Sequence, residues 1–405
     1  MDAKTAAMEV MRTLNHFGFK AFMVGGCVRD FLLGRTPKDI DVCTDAHPNI
    51  VQNLFPKTIP VGAQFGVVVV VVGDQQIEVA TFRADGDYSD GRRPDTVAYS
   101  TSARADVTRR DFTINGLLQN EQGDTLDYIG GGKDIIGKVI RAIGDPVARF
   151  TEDKLRMLRA VRFAAQLGFT IEPTTFAAIK QLAPQITTVS RERIREELLK
   201  ILTSPSPAVG LQLLKETGLR DVLFPGLRIR LDRFTPDWVT PVKDEVLALA
   251  MFLMDTPHEA FVQIMDSLKL SNETSDAVNH AIMCAGVFAQ LGTGNLRRFM
   301  VKQLARKPGF MQGLELLEQN HQLMLVNTPP SVLTAFTDHA RALTPEEINP
   351  KPLVTGDDLI AMGLKPSPAF KMILGEIEVR QLDGELADRE TALALAKALA
   401  QGRPT

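Results

Sequence analysis

The sequence predicts an α/β head followed by an all-α neck, body and tail, and three observations carry that prediction. Through residues 1–140, short β-branched or aromatic runs alternate with helical stretches. Beyond about residue 145, Leu, Ala, Arg and Glu recur at helical spacing and strand signals stop. The 405 residues are 44% hydrophobic and 23% charged, the balance of a chain that folds around cores instead of staying disordered.

The elements follow in order. The opening MDAKTAAMEVMRTLNHFGF mixes acids with apolar residues at helical spacing and lacks the basic start and continuous apolar core of a signal peptide, so it reads as the first helix. Ala21–Val24 reads as a short strand, and Gly26–Leu33 as a helix that Gly34 ends. Asp39–Cys43 is the next strand. Val67–Val72, six valines between Gly66 and Gly73, suits a strand buried on both faces. Ile77–Phe82 is a further strand. The segment ADGDYSDGRRPD has almost nothing to bury and is expected to be a mobile loop. In the helical part, breaks fall at Ser204–Pro207, at Phe234–Pro241 (which holds Trp238, expected in packing) and at Asn327–Pro330. The expected division is a head over 1–140, a neck over 141–205, a body over 206–330 and a tail over 331–405.

Composition bounds the function classes. Lys plus Arg is 46 against 49 Asp plus Glu, a net charge of −3, which excludes a polybasic nucleic-acid coat. That total hides an asymmetry: Lys138–Lys200 holds 12 cations and 7 acids, +5, leaving −8 for the rest. The total therefore excludes a basic coat but leaves room for a basic cleft on an acidic remainder. The three cysteines, Cys27, Cys43 and Cys284, form no CxxC pair, so neither a zinc ribbon nor a disulfide framework is indicated, and the chain fits a reducing cytoplasm. The notable apolar run, Val67–Val72, is far too short for a membrane helix. Six histidines occur without an HD dyad or HExxH, which leaves a metal phosphohydrolase or zinc protease unsupported.

Asp39 and Asp41 are the sharpest feature. On a strand, residues i and i+2 face the same way. Two adjacent carboxylates repel unless a cation lies between them, and Mg²⁺ takes such oxygen ligands together with substrate phosphates. A lone DxD otherwise marks a solvated strand end. Upstream, GGCVRD (Gly25 to Asp30) joins a strand to a helix. Gly25 and Gly26 let backbone N–H groups approach a phosphate, and Arg29 reaches the same anion. The plainer reading is a tight turn that needs glycine. Neither GxxxxGK[ST] nor GxGxxG is present. A phosphate cradle ahead of a carboxylate pair points to nucleoside triphosphate chemistry with two metal ions.

FMVGGCVRDFLLGRTPKDIDV resembles the first motif of class II nucleotidyltransferases, the bacterial tRNA CCA-adding enzymes and poly(A) polymerases. RRDFTING (Arg109 to Gly116) is similar to their second motif, DYIGGGKDIIGKVIR (Asp127 to Arg141) to the hinge motif, and EDKLRMLRAVRF (Glu152 to Phe163) to the nucleotide-selecting helix. LVTGDDLIAMGL near Leu353 is similar to C-terminal segments of CCA-adding enzymes. The resemblance implies a polymerase-β-like nucleotidyltransferase sheet and a template-independent RNA 3′-end nucleotidyltransferase. An RNA 3′-OH would attack the α-phosphate of CTP or ATP, and pyrophosphate would leave. Asp39 and Asp41 would bind two Mg²⁺ ions, and Gly25, Gly26 and Arg29 would cradle phosphates. Arg110 would lie against the nucleotide and Asp111 near the ribose hydroxyl, where an acceptor helps tell ribose from deoxyribose. For Asp111 the alternative is a helix N-cap. Glu78 is a candidate third carboxylate; the alternative is an exposed strand residue.

On a helical wheel with Asp153 at zero, Arg156, Arg159 and Arg162 wind away from Leu155, Leu158 and Val161. This stripe also reads as a solvated face with i,i+3 pairs. Asp153 accepts hydrogen bonds and Arg156 donates them. Cytosine and adenine present an amino donor beside a ring-nitrogen acceptor, while uracil and guanine present the reverse. In the resembling family this pair is the protein template for CTP and ATP, and Arg159 and Arg162 match nucleotide-contacting positions. The expected partners are therefore tRNA or another RNA 3′ end, CTP and ATP, with no membrane. Poly(A) polymerase shares all four motifs, but PVGAQFGVVVV and YSDGRRPD favour a CCA-adding enzyme; a partial enzyme that adds only CC or only A is a further alternative, of which the intact loop disfavours the CC-only type. An inactive RNA-binding relative is disfavoured by the intact Asp39 and Asp41, and a small-molecule nucleotidyltransferase by the helical body.

Overall fold

The structure, a computed structural model, describes residues 1–60, 66–84, 98–234, 242–289 and 297–401. It divides into two compact units, Met1–Leu227 and Arg228–Thr405.

In the first unit, helix α1 (Ala3–His16) starts where the Asp2 side chain accepts from the Thr5 N–H, and buries Ala6, Ala7, Val10, Met11 and Leu14 along one stripe. Strand β1 (Ala21–Val24), helix α2 (Gly26–Leu32), strand β2 (Asp41–Thr44) and helix α3 (Pro48–Leu54) follow. Then come β3 (Thr58–Ile59), β4 (Val67–Val72), β5 (Gln75–Thr81), β6 (Arg83–Ala84), β7 (Ala98–Tyr99), α4 (Ala103–Thr108), β8 (Leu118–Gln119) and β9 (Thr125–Leu126). The principal sheet runs β3-β4-β5-β2-β1-β8-β9. Its β2–β5 pair is parallel and the other neighbours are antiparallel. One row of register partners, Met23, Val42, Val79 and Val68, is fully buried, and α1 packs on β1, β2 and β5. The next row, Val24, Asp41, Glu78 and Val69, faces the other way.

Two strand expectations need correction. The valine run is not buried on both faces: Val68 and Val70 are buried, while the valines between and beyond them are half-buried. β4 hydrogen-bonds antiparallel strands, and one-sided burial is the rule for such sheets. Strand β2 begins at Asp41, not Asp39. Gly25, at φ 82°, turns the chain out of the sheet just after Val24, so β1 offers no partner beyond Asp41. The mobile loop expected at ADGDYSDGRRPD lies, apart from Ala84, outside the described residues, as does Trp238.

After β9, α5 (Gly131–Ile136) leads into β10 (Val139–Ile140), α6 (Pro146–Glu152), α7 (Leu155–Leu167) and β11 (Thr170–Ile171). β10 and β11 pair in parallel, so β11 places a short strand inside the region read as purely helical. Helices α8 (Pro173–Leu182), α9 (Arg191–Leu202), α10 (Pro207–Glu216) and α11 (Leu219–Leu223) complete the unit, with α7 packed on α9 and α10. The start of α5 explains the first two glycines of the GGG run: Gly130 sits at φ 83°, and Gly131 packs against backbone. A Cβ on Gly131 would lie 2.2 Å from the Thr113 carbonyl oxygen, whereas one on Gly132 would meet only Asp127 Oδ2, at 3.4 Å. Gly131→Ala is therefore expected to cost on the order of 2–3 kcal/mol, read as a lower urea midpoint, with Gly132→Ala close to wild type.

The second unit is helical: α12 (Glu245–Leu253), α13 (His258–Ser267), α14 (Asn272–Phe288), α15 (Arg298–Ala305), α16 (Phe310–Gln322), α17 (Pro330–Arg341), α18 (Pro345–Ile348), α19 (Gly356–Ala361), α20 (Pro368–Asp383) and α21 (Arg389–Ala400). Cys284, Phe288, Phe310, Leu314 and Leu317 form one core, and Leu359, Ile373, Ile377, Ala392 and Ala396 another. Among the described residues, no helix is long and apolar enough to cross a membrane.

Candidate active site

Because Asp41 and Glu78 are register partners on adjacent strands, their side chains leave the sheet on the same face. Asp39 is exposed, two residues ahead of β2, and its charge also reaches Asp41. Burial pushes the Asp41 carboxyl up to about 6; Glu78 pushes the same way, Arg110 opposes and Asp39 adds a smaller push. The cluster is thus short of positive charge. Its donors are all carboxylate oxygens, the set a hard divalent cation such as Mg²⁺ prefers. Among the described residues no three His, Cys, Asp or Glu groups close into a metal cage. The carboxylates therefore fit a cation that other oxygens also ligate.

The raised value has a stability consequence. The folded protein holds the Asp41 proton more tightly than the unfolded chain does. The contribution of Asp41 to stability is therefore greatest below the unfolded value near 4 and is lost as pH rises through about 6. In chelator at pH 7.5, Asp41→Asn should melt above wild type by on the order of 1–2 kcal/mol, with the gain vanishing near pH 4. Calorimetry at both pH values checks this.

The turn between β1 and α2 lies beside two guanidinium groups. A Cβ on Gly25 would sit 3.4 Å from Arg110 Nη1, and one on Gly26 would sit 3.5 Å from Arg29 Nη2. Arg29 is buried. Its Nε donates to Asp30 Oδ1 at 2.9 Å and its Nη1 to Asn115 Oδ1 at 2.7 Å. Arg110 Nη2 donates to Asp106 Oδ2 at 2.9 Å. The Gly25 N–H donates to the Leu117 carbonyl at 3.3 Å, so the turn offers an anion the Gly26 N–H and the neighbouring guanidinium edges.

Asp111 does not cap a helix. The 3₁₀ turn Thr113–Asn115 follows Phe112 with no side-chain cap. Instead Asp111 Oδ1 accepts from the Phe112 N–H at 2.8 Å and from Asn115 Nδ2 at 3.1 Å, and Oδ2 accepts from Arg159 Nε at 2.8 Å. Burial opposes ionisation, but Arg159 and Asn115 outweigh it and hold the carboxyl down at about 2. Asn115 thereby links Arg29, at the glycine turn, through Asp111 to Arg159 on α7.

Asp153 is not on the helix assumed for the wheel. α6 ends at Glu152, Asp153 is extended at φ −143° and ψ 102°, and α7 begins at Leu155. The break lets Asp153 Oδ1 accept from the Leu155 N–H at 3.0 Å, while Oδ2 accepts from Arg193 Nη2 at 2.8 Å. Asp153 and Arg156 are not paired with each other: Arg156 Nη1 donates to Glu152 Oε2 at 2.7 Å and to the Arg149 carbonyl at 3.0 Å. Arg162 is buried. Its Nε lies 2.9 Å from Glu197 Oε2, as an ion pair outside hydrogen-bond geometry, and burial lowers the guanidinium pKa to about 10 despite Glu197. Arg159 thus joins Asp111, whereas Arg162 points to α9. Arg141, Arg149, Arg156, Arg159, Arg162 and Arg193 of this stretch all have acidic partners; two of those partners, Asp134 and Asp111, lie outside it and offset part of its +5. Sequence reasoning missed Asp106, Asn115, Glu152, Arg193 and Glu197. The available signal was the i,i+4 spacing of Arg193 and Glu197 in RERIREELLK, on the same α9 face as buried Ile194 and Ile201.

The chain matches three family models: "Poly A polymerase head domain" over residues 21–141, "Probable RNA and SrmB-binding site of polymerase A" over 168–230, and "tRNA nucleotidyltransferase domain 2" over 241–396. It is 35% identical over 400 residues to the CCA-adding enzyme of Levilactobacillus brevis, covering 96% of each chain. It is 48% identical over 221 residues to that of Geobacillus thermodenitrificans, covering 55% of this chain and 54% of the relative. Among solved structures, the Bacillus stearothermophilus CCA-adding enzyme in complex with CTP superposes with a TM-score of 0.79 at 30% identity, covering 99% of each chain.

Proposed function

This chain belongs to the CCA-adding enzyme family of nucleotidyltransferases, and from that premise we propose that it completes tRNA 3′ ends with C, C and A from CTP and ATP, releasing pyrophosphate at a site that holds Mg²⁺. The observation that carries the reading is the charge-starved cluster of Asp41, Glu78 and Asp39 beside the Gly25–Gly26 turn and Arg110.

Asp39 and Asp41 hold the cations, with Glu78 as the neighbouring carboxylate. Bound there, Mg²⁺ supplies activation of the RNA 3′ oxygen and neutralises triphosphate charge. The Gly25–Gly26 backbone, Arg29 and Arg110 hold the triphosphate, so that the new phosphorus–oxygen bond forms opposite the departing pyrophosphate. Asp111 accepts from the ribose hydroxyl, with Arg159 fixing its orientation. Asp153 and Arg156 read the base, exchanging Arg193 and Glu152 for the base edge. Arg162 supports this helix from beneath. The head over 1–140 carries the chemistry, the neck over 141–205 selects the nucleotide, and the body and tail over 206–405 hold the RNA by phosphates and shape. A cytoplasmic setting suits the three free, buried cysteines.

The test is stoichiometric. On a tRNA ending just before CCA, CTP alone should release two pyrophosphates per RNA, ATP alone none, and the two together three. Continued release with ATP alone would assign a poly(A) polymerase. A stop at two with both nucleotides would assign a CC-adding enzyme.

A further inference from the structure

Asp106 on α4 is 1% exposed, beside buried Ala103 and Val107 in an apolar cluster that includes Phe82. A carboxylate there forfeits its hydration and persists only with strong partners. Its Oδ1 accepts from Arg109 Nε at 2.9 Å and from the Arg83 backbone N–H at 3.2 Å, and its Oδ2 accepts from Arg110 Nη2 at 2.9 Å. Arg110 is then held by one corner of its fork. Nη1 borders the space over Gly25, and Nε is buried without a hydrogen-bond partner among the described residues. With Nη2 committed to Asp106 and Nε turned into the fold, Nη1 is the donor that the fork presents to the turn. The same carboxylate steadies Arg109, whose carbonyl accepts from Arg149 Nη1 at 3.3 Å and Arg156 Nη2 at 3.4 Å.

We propose that Asp106 is a positioning residue for the incoming nucleotide: by holding Nη2 it aligns the Arg110 fork over the Gly25–Gly26 turn so that Nη1 meets a triphosphate oxygen. This rests on the reading that the turn receives the triphosphate. Asp106 itself touches no substrate and acts through Arg110. The positive charge that Arg110 brings is the same whether or not the fork is aligned, so alignment is the property to test.

The measurement is steady-state addition of one A to a tRNA ending in CC, by wild type, Asp106→Asn, Arg110→Ala and the double variant. Each single change should raise KM for ATP about tenfold with kcat within about threefold, the pattern of lost uniform binding. KM for the tRNA should not move. The double variant should match Arg110→Ala alone, because the two residues act as one unit. An unchanged KM for ATP in Asp106→Asn, or a further full-sized rise when it is added to Arg110→Ala, would overturn the proposal. Arg110→Lys gives an arm that does not depend on the folding of Asp106→Asn. It keeps the charge but not the fork and should raise KM for ATP about as much as Arg110→Ala; a wild-type value there would overturn alignment by Asp106. A wild-type KM for ATP in Arg110→Ala would overturn the placement of the triphosphate as well.

Discussion

Asp41→Asn and Asp39→Asn are each expected to lower kcat/KM for nucleotide addition by about 10³-fold or more, equivalent to about 4 kcal/mol of transition-state stabilisation, while the protein stays folded. On the proposed reading, each change would remove one anionic ligand from a site whose chemistry depends on cation charge at the attacking oxygen and the triphosphate. Burial and Glu78 raise the Asp41 pKa in the ligand-free protein, so this carboxylate is costly to the fold and useful only to a cation. Dead but more stable is the signature of a binding residue, since a structural carboxylate would lose stability and activity together. Single-turnover incorporation at saturating Mg²⁺, alongside calorimetry, separates the two. Near-normal turnover in Asp41→Asn would remove the metal assignment. Glu78→Gln decides the role of the third carboxylate: a loss comparable to the aspartates would make it a ligand, and a small loss would make it a neighbour that only tunes Asp41.

Asp153→Ala should reduce discrimination for C and A over U and G by about tenfold to a hundredfold, the value of one or two hydrogen bonds lost from a buried reading surface. Incorporation from each of the four nucleoside triphosphates, compared as kcat/KM, reads it. Asp153 is a sound candidate because the chain breaks there. It is extended between α6 and α7, with its carboxylate aimed at the Leu155 N–H and Arg193 instead of along a helix face. Arg156 is anchored from the other side by Glu152 and the Arg149 carbonyl. A base that bridges them must exchange those contacts, which makes selectivity sensitive to their geometry. Unchanged selectivity in Asp153→Ala would end the template reading.

The head was legible where periodicity and glycine punctuate the chain. The valine strand followed from a β-branched run bounded by glycines, and the end of β1 and its turn from the Gly25–Gly26 pair after a short apolar run. The site was less legible, because its geometry depends on register between distant strands. Asp41 and Glu78 are 37 positions apart, and only the parallel pairing of β2 and β5 makes them neighbours. The wheel failed at Asp153, since hydrophobic spacing carries across the two-residue break between α6 and α7 without recording it. Asn115 and Asp106 were overlooked because each looks like an ordinary polar residue until its arginine partner, 86 positions away for Asn115 and four for Asp106, is placed in space.

The most direct test of the central claim is the length of product on two RNAs offered CTP and ATP together. A tRNA ending just before CCA should gain three residues in the order C, C, A and then stop, while an unstructured RNA of similar length should gain none. Long A tails on both RNAs would contradict the account.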